Sequence, residues 1–256
     1  MKAGGKLLQQ LRHQRYLKRL GQQLDQADKI PLGELRQQCS QARHVLRPLT
    51  RFLRLSEERL ADPLTRDQKI PAPVGTDWTW RPKQWRTQMA EKGFAGLASE
   101  TQIGEDATVF HDCSERELIV KQVRNRNAGD GARFGLRFDV FHFAGSFLSL
   151  AVDLPPEAVA GLKKRHLFRL DTSISVERDI DLYARLNIKH GPNTEKLVSK
   201  ISTDGAGSSA EFDLAYTQLN EQRVEKIWMD FIFENPAHNQ IELHDVTFSR
   251  RPRSEI

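Results

Sequence analysis

Leu182-Tyr-Ala-Arg-Leu-Asn-Ile-Lys-His190 is the stretch that decides the fold. Leu182, Ala184, Leu186 and Ile188 alternate with Tyr183, Arg185, Asn187 and Lys189. Strict alternation over nine residues places one set on each face of a half-buried strand. Lys226-Ile-Trp-Met-Asp-Phe-Ile-Phe233 repeats the pattern. There Ile227, Met229, Phe231 and Phe233 form the core set, opposed by Trp228 and Asp230. In 166–176, His166, Phe168, Leu170, Ile174 and Val176 oppose Arg169, Asp171 and Ser173. In 134–143, Arg137 and Asp139 are the polar members.

Outward from these, strand-like runs recur at 107–111, 117–124, 134–143, 147–154, 196–201, 210–214 and 240–250. Ala144-Gly145-Ser146 reads as a tight hairpin between 134–143 and 147–154. About ten short strands without long intervening helices predict a mainly β fold: an antiparallel β-sandwich of jelly-roll type. This region spans 93–256.

The N-terminal 60 residues read differently. Leu32, Leu35, Cys39, Ala42, Leu46, Leu49 and Leu53 follow a 3-4 spacing opened by Pro31, which predicts an amphipathic helix. Pro48 should break or kink it near Arg47. A shorter stripe, Leu17, Leu20, Leu24 and Ala27, precedes a turn at Asp28–Pro31. The two stripes are expected to pack on each other or on the β region, rather than to drive oligomerisation. Between arm and sandwich, 61–92 is a Pro- and Trp-rich linker and docking segment. Asp62-Pro63, Pro71, Pro73 and Gly75 resist regular structure, and Trp78, Trp80 and Trp85 are expected to form a hydrophobic latch; the alternative is that, beside Arg81, Lys83 and Arg86, they stack on bases or sugars.

Charge is divided unevenly. Residues 1–60 hold 13 Lys/Arg and 5 Asp/Glu, leaving 26 and 29 for the rest. A basic arm points to an acidic partner: a membrane surface, nucleic acid or an acidic protein. Arg12, Arg15, Lys18, Arg19, Arg36, Arg43, Arg47, Arg51 and Arg54 would meet it. A solvated helix surface is the plainer alternative.

Cys39 and Cys113 make no disulfide framework. The first 20 residues lack the apolar run of a secretory signal, and no stretch is apolar enough to span a membrane, so the cytoplasm is the expected location. There is no phosphate loop, nucleophile elbow, dinucleotide fingerprint or zinc-ligand spacing, so no cofactor or metal is expected. His111-Asp112-Cys113 cannot converge on one site, because neighbours on a strand face opposite ways.

The outward residues suit a sugar if their strands share a sheet. Tyr183 and Trp228 offer aromatic faces to the C–H side of a pyranose ring. Arg185, Asn187, Asp230, Arg169 and Asp171 offer paired hydrogen bonds to its hydroxyls. The alternative is the ordinary polar exterior of a sandwich.

Trp228–Arg253, Leu186–Glu195 and Gly75-Thr-Asp-Trp-Thr-Trp-Arg-Pro82 resemble a bacterial family of unknown function over residues 70–253. Ile241–Arg250 resembles the last strand of galactose-binding-like and carbohydrate-binding jelly rolls. Neither resemblance supplies a catalytic residue. The leading reading is a non-catalytic binding module for a carbohydrate or similar polyhydroxylated ligand. The second is an interaction protein acting through its basic arm. The third is a glycoside hydrolase using a carboxylate pair among Asp153, Glu157, Asp171 and Asp230.

Overall fold

A computed structural model describes residues 14–15, 18–67, 70–126, 131–203 and 207–253. They fall into two compact units, Met1–Leu55 and Ser56–Ile256.

In the first unit, residues 18–25 are helical and a 3-10 turn covers Ala27–Lys29. Helix α1 then runs Leu32–Asp67, continuing into the second unit. Leu35 N–H donates to Pro31 O at 2.9 Å, so proline sits where its missing N–H costs nothing. The expected break at Pro48 does not occur, and 61–67 is helix rather than linker. An interior proline forfeits one helical hydrogen bond, costing about 3 kcal/mol. Here the flanking Leu, Arg, Gln and Ala are strong enough helix formers to carry the helix through. Leu24, Leu46, Leu49 and Leu53 are exposed, and Leu35 is half-buried. Arg12 and Leu17 lie outside the described residues.

The second unit is an antiparallel β-sandwich of jelly-roll type. Its thirteen strands among the described residues are β1 Trp78–Trp80, β2 Gly93–Ala95, β3 Thr101–Ile103, β4 Ala107–His111, β5 Leu118–Arg124, β6 Phe134–Val140, β7 Leu148–Asp153, β8 His166–Val176, β9 Leu182–His190, β10 Asn193–Ile201, β11 Ser208–Asp213, β12 Val224–Phe233 and β13 Asn239–Pro252. One sheet has the order β11-β8-β13-β6-β5-β2, with β1 also paired to β13. The other has the order β10-β9-β12-β7-β4-β3.

The alternation read from β9 and β12 holds. Leu182, Ala184, Leu186, Ile188, Ile227, Met229, Phe231 and Phe233 are at most 1% exposed. Phe138 of one sheet meets Phe233 of the other with ring centroids 5.3 Å apart. Each such ring stabilises by about 2–3 kcal/mol relative to an exposed one.

The expected hairpin at 144–146 is not formed. β6 pairs with β5 and β13, whereas β7 pairs with β12 and β4. Residues 141–147 therefore cross between sheets. Asp112 holds the crossing by accepting from Ser146 N at 2.7 Å and Phe147 N at 3.2 Å.

The tryptophan segment belongs to the sandwich. β1 pairs along β13 beyond the bulge at Leu243/Asp245, after β6 has left that edge. Trp85 is fully buried and donates its indole N–H to Leu243 O at 2.9 Å.

Candidate ligand-binding groove

Four strands of the six-stranded sheet build a groove of about 660 Å³ on its outer face. Register places the residues in rows across the strands. Tyr183, Ile232, Ser149 and Phe110 form one row, and Arg185, Asp230, Ala151 and Thr108 the next. Asn187, Trp228 and Asp153 follow, then Lys189 beside Lys226. Small side chains at 149, 151 and 108 leave the middle low. Trp228, Ile232, Phe110 and Phe147 rise around it, and Phe147 is 43% exposed.

The polar centre is preorganised. Asp230 Oδ2 accepts from Arg185 Nε at 3.1 Å and Nη2 at 2.8 Å, and from Asn187 Nδ2 at 2.9 Å. Asn187 Nδ2 also donates to Arg185 O at 2.9 Å. Asn187 is fully buried, and its Oδ1 has no hydrogen-bond partner among the described residues. Arg185 keeps part of its guanidinium at the surface, with a side-chain exposure of 37%. A partly exposed donor fork is thus fixed by a buried carboxylate, so little rotamer freedom remains to be lost when a ligand accepts from it. At the groove's end, Lys226 Nζ lies 5.7 Å from the Trp228 ring centroid and pairs with Asp153 at 2.8 Å. Lys189 pairs with Glu225 at 3.0 Å, which holds the Glu225 carboxyl below its usual range.

Five of the seven expected ligand-binding residues share this face, in different roles. Trp228, Arg185 and Asp230 line the groove; Asn187 lies beneath, and Tyr183 stands on the same face outside the lining. Arg169 and Asp171 do not join them. Their strand, β8, belongs to the opposite sheet, because alternation fixes a residue's face but not which sheet its strand enters. They pair with each other at 2.7 Å and line a separate hollow of about 510 Å³ beside Pro71 and Pro73. Arg137 and Asp139 also lie in that sheet, 2.6 Å apart. Burial alone would raise Asp139, but bonds from Lys121 and Arg137 outweigh it and hold the carboxyl low.

Phe110, Phe147 and Ile232 were missed. Phe110 was visible by the rule that found Trp228, since Ala107, Val109 and His111 are its buried neighbours. Of the four candidate carboxylates, Asp153 and Asp230 share the groove, on a diagonal that sets their Cβ atoms about 7 Å apart. Each is held by a cation, Lys226 and Arg185. Asp171 is on the other sheet, and Glu157 sits in a one-turn helix at Pro156–Val159. His111, Asp112 and Cys113 form no shared site. The His111 ring bonds Leu97 O and Cys113 N, and Asp112 braces the inter-sheet crossing. No group of three or more metal-ligating side chains occurs among the described residues.

One family's sequence profile matches residues 1–256, so the match includes the arm as well as 70–253. The chain belongs to DUF6478, a family of unknown function. No curated protein matches its sequence. Solved structures similar to this DUF6478 member include a family 11 carbohydrate-binding module from Clostridium thermocellum, in complex with a β-1,3-1,4-mixed-linked tetrasaccharide. It is 11% identical at a TM-score of 0.40, over 64% of this chain and 97% of that one. TmCBM61, in complex with β-1,4-galactotriose, is 16% identical at 0.32, over 57% and 88%. The enzymatically active domain of bacteriophage CBA120 tailspike protein 4 is 6% identical at 0.40; 56% of this chain aligns with only 19% of that one. At such scores, none of these likenesses bears on what this chain binds.

Proposed function

We propose that this chain is a non-catalytic binding module whose outer-face groove takes a carbohydrate or similar polyhydroxylated ligand. The observation that carries the reading is the joining, in one groove, of aromatic surface from Trp228, Phe110 and Phe147 with the fixed Arg185–Asp230 centre. Aromatic rings pack on the apolar faces of sugar rings, while vicinal hydroxyls accept from the guanidinium and donate to carboxylate oxygen. Asp153 and Asp230 are each engaged in an ion pair, with Lys226 and Arg185, so neither side chain can reach a glycosidic oxygen without giving up its cation, which favours binding over hydrolysis.

The test is a glycan array probed with the full-length chain, followed by titration of the best ligand. Trp228→Ala and Arg185→Ala should each weaken binding about tenfold or more, the loss of roughly 1.4 kcal/mol. Unchanged affinity in both variants would move the site elsewhere, and silence across the array would end the carbohydrate assignment. Release of reducing ends from a bound glycan would replace the non-catalytic reading with a hydrolytic one.

A further inference from the structure

Helix α1 carries a second feature, separate from the groove. Leu46, Leu49, Phe52 and Leu53 are 60%, 53%, 66% and 58% exposed, and Leu32, Val45 and Leu55 are exposed too. At 3.6 residues per turn, the apolar positions from Leu32 to Leu53 spread over an arc of about 160°. Arg36, Arg43, Arg47 and Arg51 fall within about 80° on the border of that arc, and all four are exposed. Residues 32–55 contain five Arg against one Glu.

We propose that α1 is an interfacial helix that lays this face on an anionic lipid surface. Leucines and phenylalanine would sink to the acyl boundary, while the bordering guanidinium groups meet lipid phosphates. A wide apolar arc beside a cationic row, with low overall hydrophobicity, is the pattern of helices that lie in the membrane plane. No helix among the described residues is long and apolar enough to cross a membrane, which fits lying on rather than spanning.

Two other occupants fit less well. A second copy in a coiled coil would use a narrow seam with opposite charges on its flanks. Arg36 and Arg43 stand on one flank of the leucine seam, but the other flank offers Gln38, Val45 and Phe52, with no acid to pair them. Gln38 is already bonded to Glu34 at 3.3 Å. Nucleic acid would engage the arginines and leave the apolar arc exposed.

The test uses the full-length chain and flotation with two kinds of vesicle: phosphatidylcholine alone, and phosphatidylcholine with one quarter phosphatidylglycerol. Partition into the anionic vesicles should exceed that into the neutral ones by at least about tenfold and fall as salt rises. Each single change, Arg43→Gln or Arg47→Gln, should lower it about fivefold. Leu49→Glu with Phe52→Glu should abolish it. Near-ultraviolet dichroism from the sandwich tryptophans establishes that each variant remains folded. Equal binding to both vesicles, or loss in the arginine variants without loss in Leu49→Glu/Phe52→Glu, would overturn the proposal. Self-association or binding to an RNA oligonucleotide, with no vesicle binding, would also overturn it, as would no binding at all.

Discussion

Replacing Asp230 by alanine tests whether the groove's polar centre is held as its geometry indicates. Three donors lose their acceptor, two from Arg185 and one from Asn187. Arg185 is partly exposed and can turn to water, so its ion pair contributes only about 0.5–1 kcal/mol. Asn187 is buried and cannot. It keeps its bond to Arg185 O, but the second N–H is stranded at a cost of about 1–2 kcal/mol. The sum is about 1.5–3 kcal/mol. In a unit of this size each kcal/mol moves Tm by about 2–4 °C, so Asp230→Ala should melt about 3–12 °C lower than the parent. Asp230→Asn keeps one acceptor oxygen and should recover about half of the loss. Thermal unfolding of the full chain at neutral pH reads both. A fall of less than about 2 °C for the alanine variant would refute the anchoring role, as would an asparagine variant no better than alanine.

Trp85→Phe should destabilise by about 2–4 kcal/mol in urea, through the cavity and the unpaired Leu243 carbonyl; a loss under about 1 kcal/mol would contradict its place in the core. Gly135→Ala would place a Cβ 2.7 Å from Leu243 O, a backbone atom, and should cost more than about 2 kcal/mol. Gly75→Ala, in open space at φ +83°, should cost only about 1 kcal/mol. Burial, then the nearby Arg250, pushes the His166 imidazole below its ordinary 6.5. Its contribution to stability is therefore complete above pH 6.5 and is lost as pH falls toward the lowered folded value, where the unfolded chain binds the extra proton. His166→Gln should flatten the stability profile in that window, and an unchanged slope would assign the effect elsewhere. Pro48→Ala should strengthen α1 by about 3 kcal/mol, seen as helical dichroism surviving to higher temperature; no gain would mean the helix bends around Pro48.

The sandwich was legible because alternation is a local signal. Leu182–His190 and His166–Val176 state their inner and outer faces within nine and eleven residues. Partnership between strands is not local, and this is where the reading of 134–154 failed. Ala144-Gly-Ser146 looks like a hairpin turn, but Phe138 and Leu150 serve opposite sheets. Arg169 and Asp171 went astray for the same reason. The short strands β1, β2 and β3, of three residues each, gave no period to detect. Pro48 was over-read, since one unfavourable residue does not outweigh a long run of helix formers.

Strand β13 has consequences for how the domain assembles. It is the common partner of β1, β6 and β8. Trp85 finds Leu243 across 158 residues, Arg81 finds Thr247 across 166, and Arg250 finds Asp77 across 173. Closing loops of that length costs chain entropy before any contact rewards it. During synthesis the early tryptophan segment has no sheet to join until β13 emerges. Until then its aromatic rings and the open edges of β6 and β8 remain available to other chains, which makes this interval the time of greatest exposure to aggregation. The long-range closure thus falls to β13, the strand on which β1, β6 and β8 all depend.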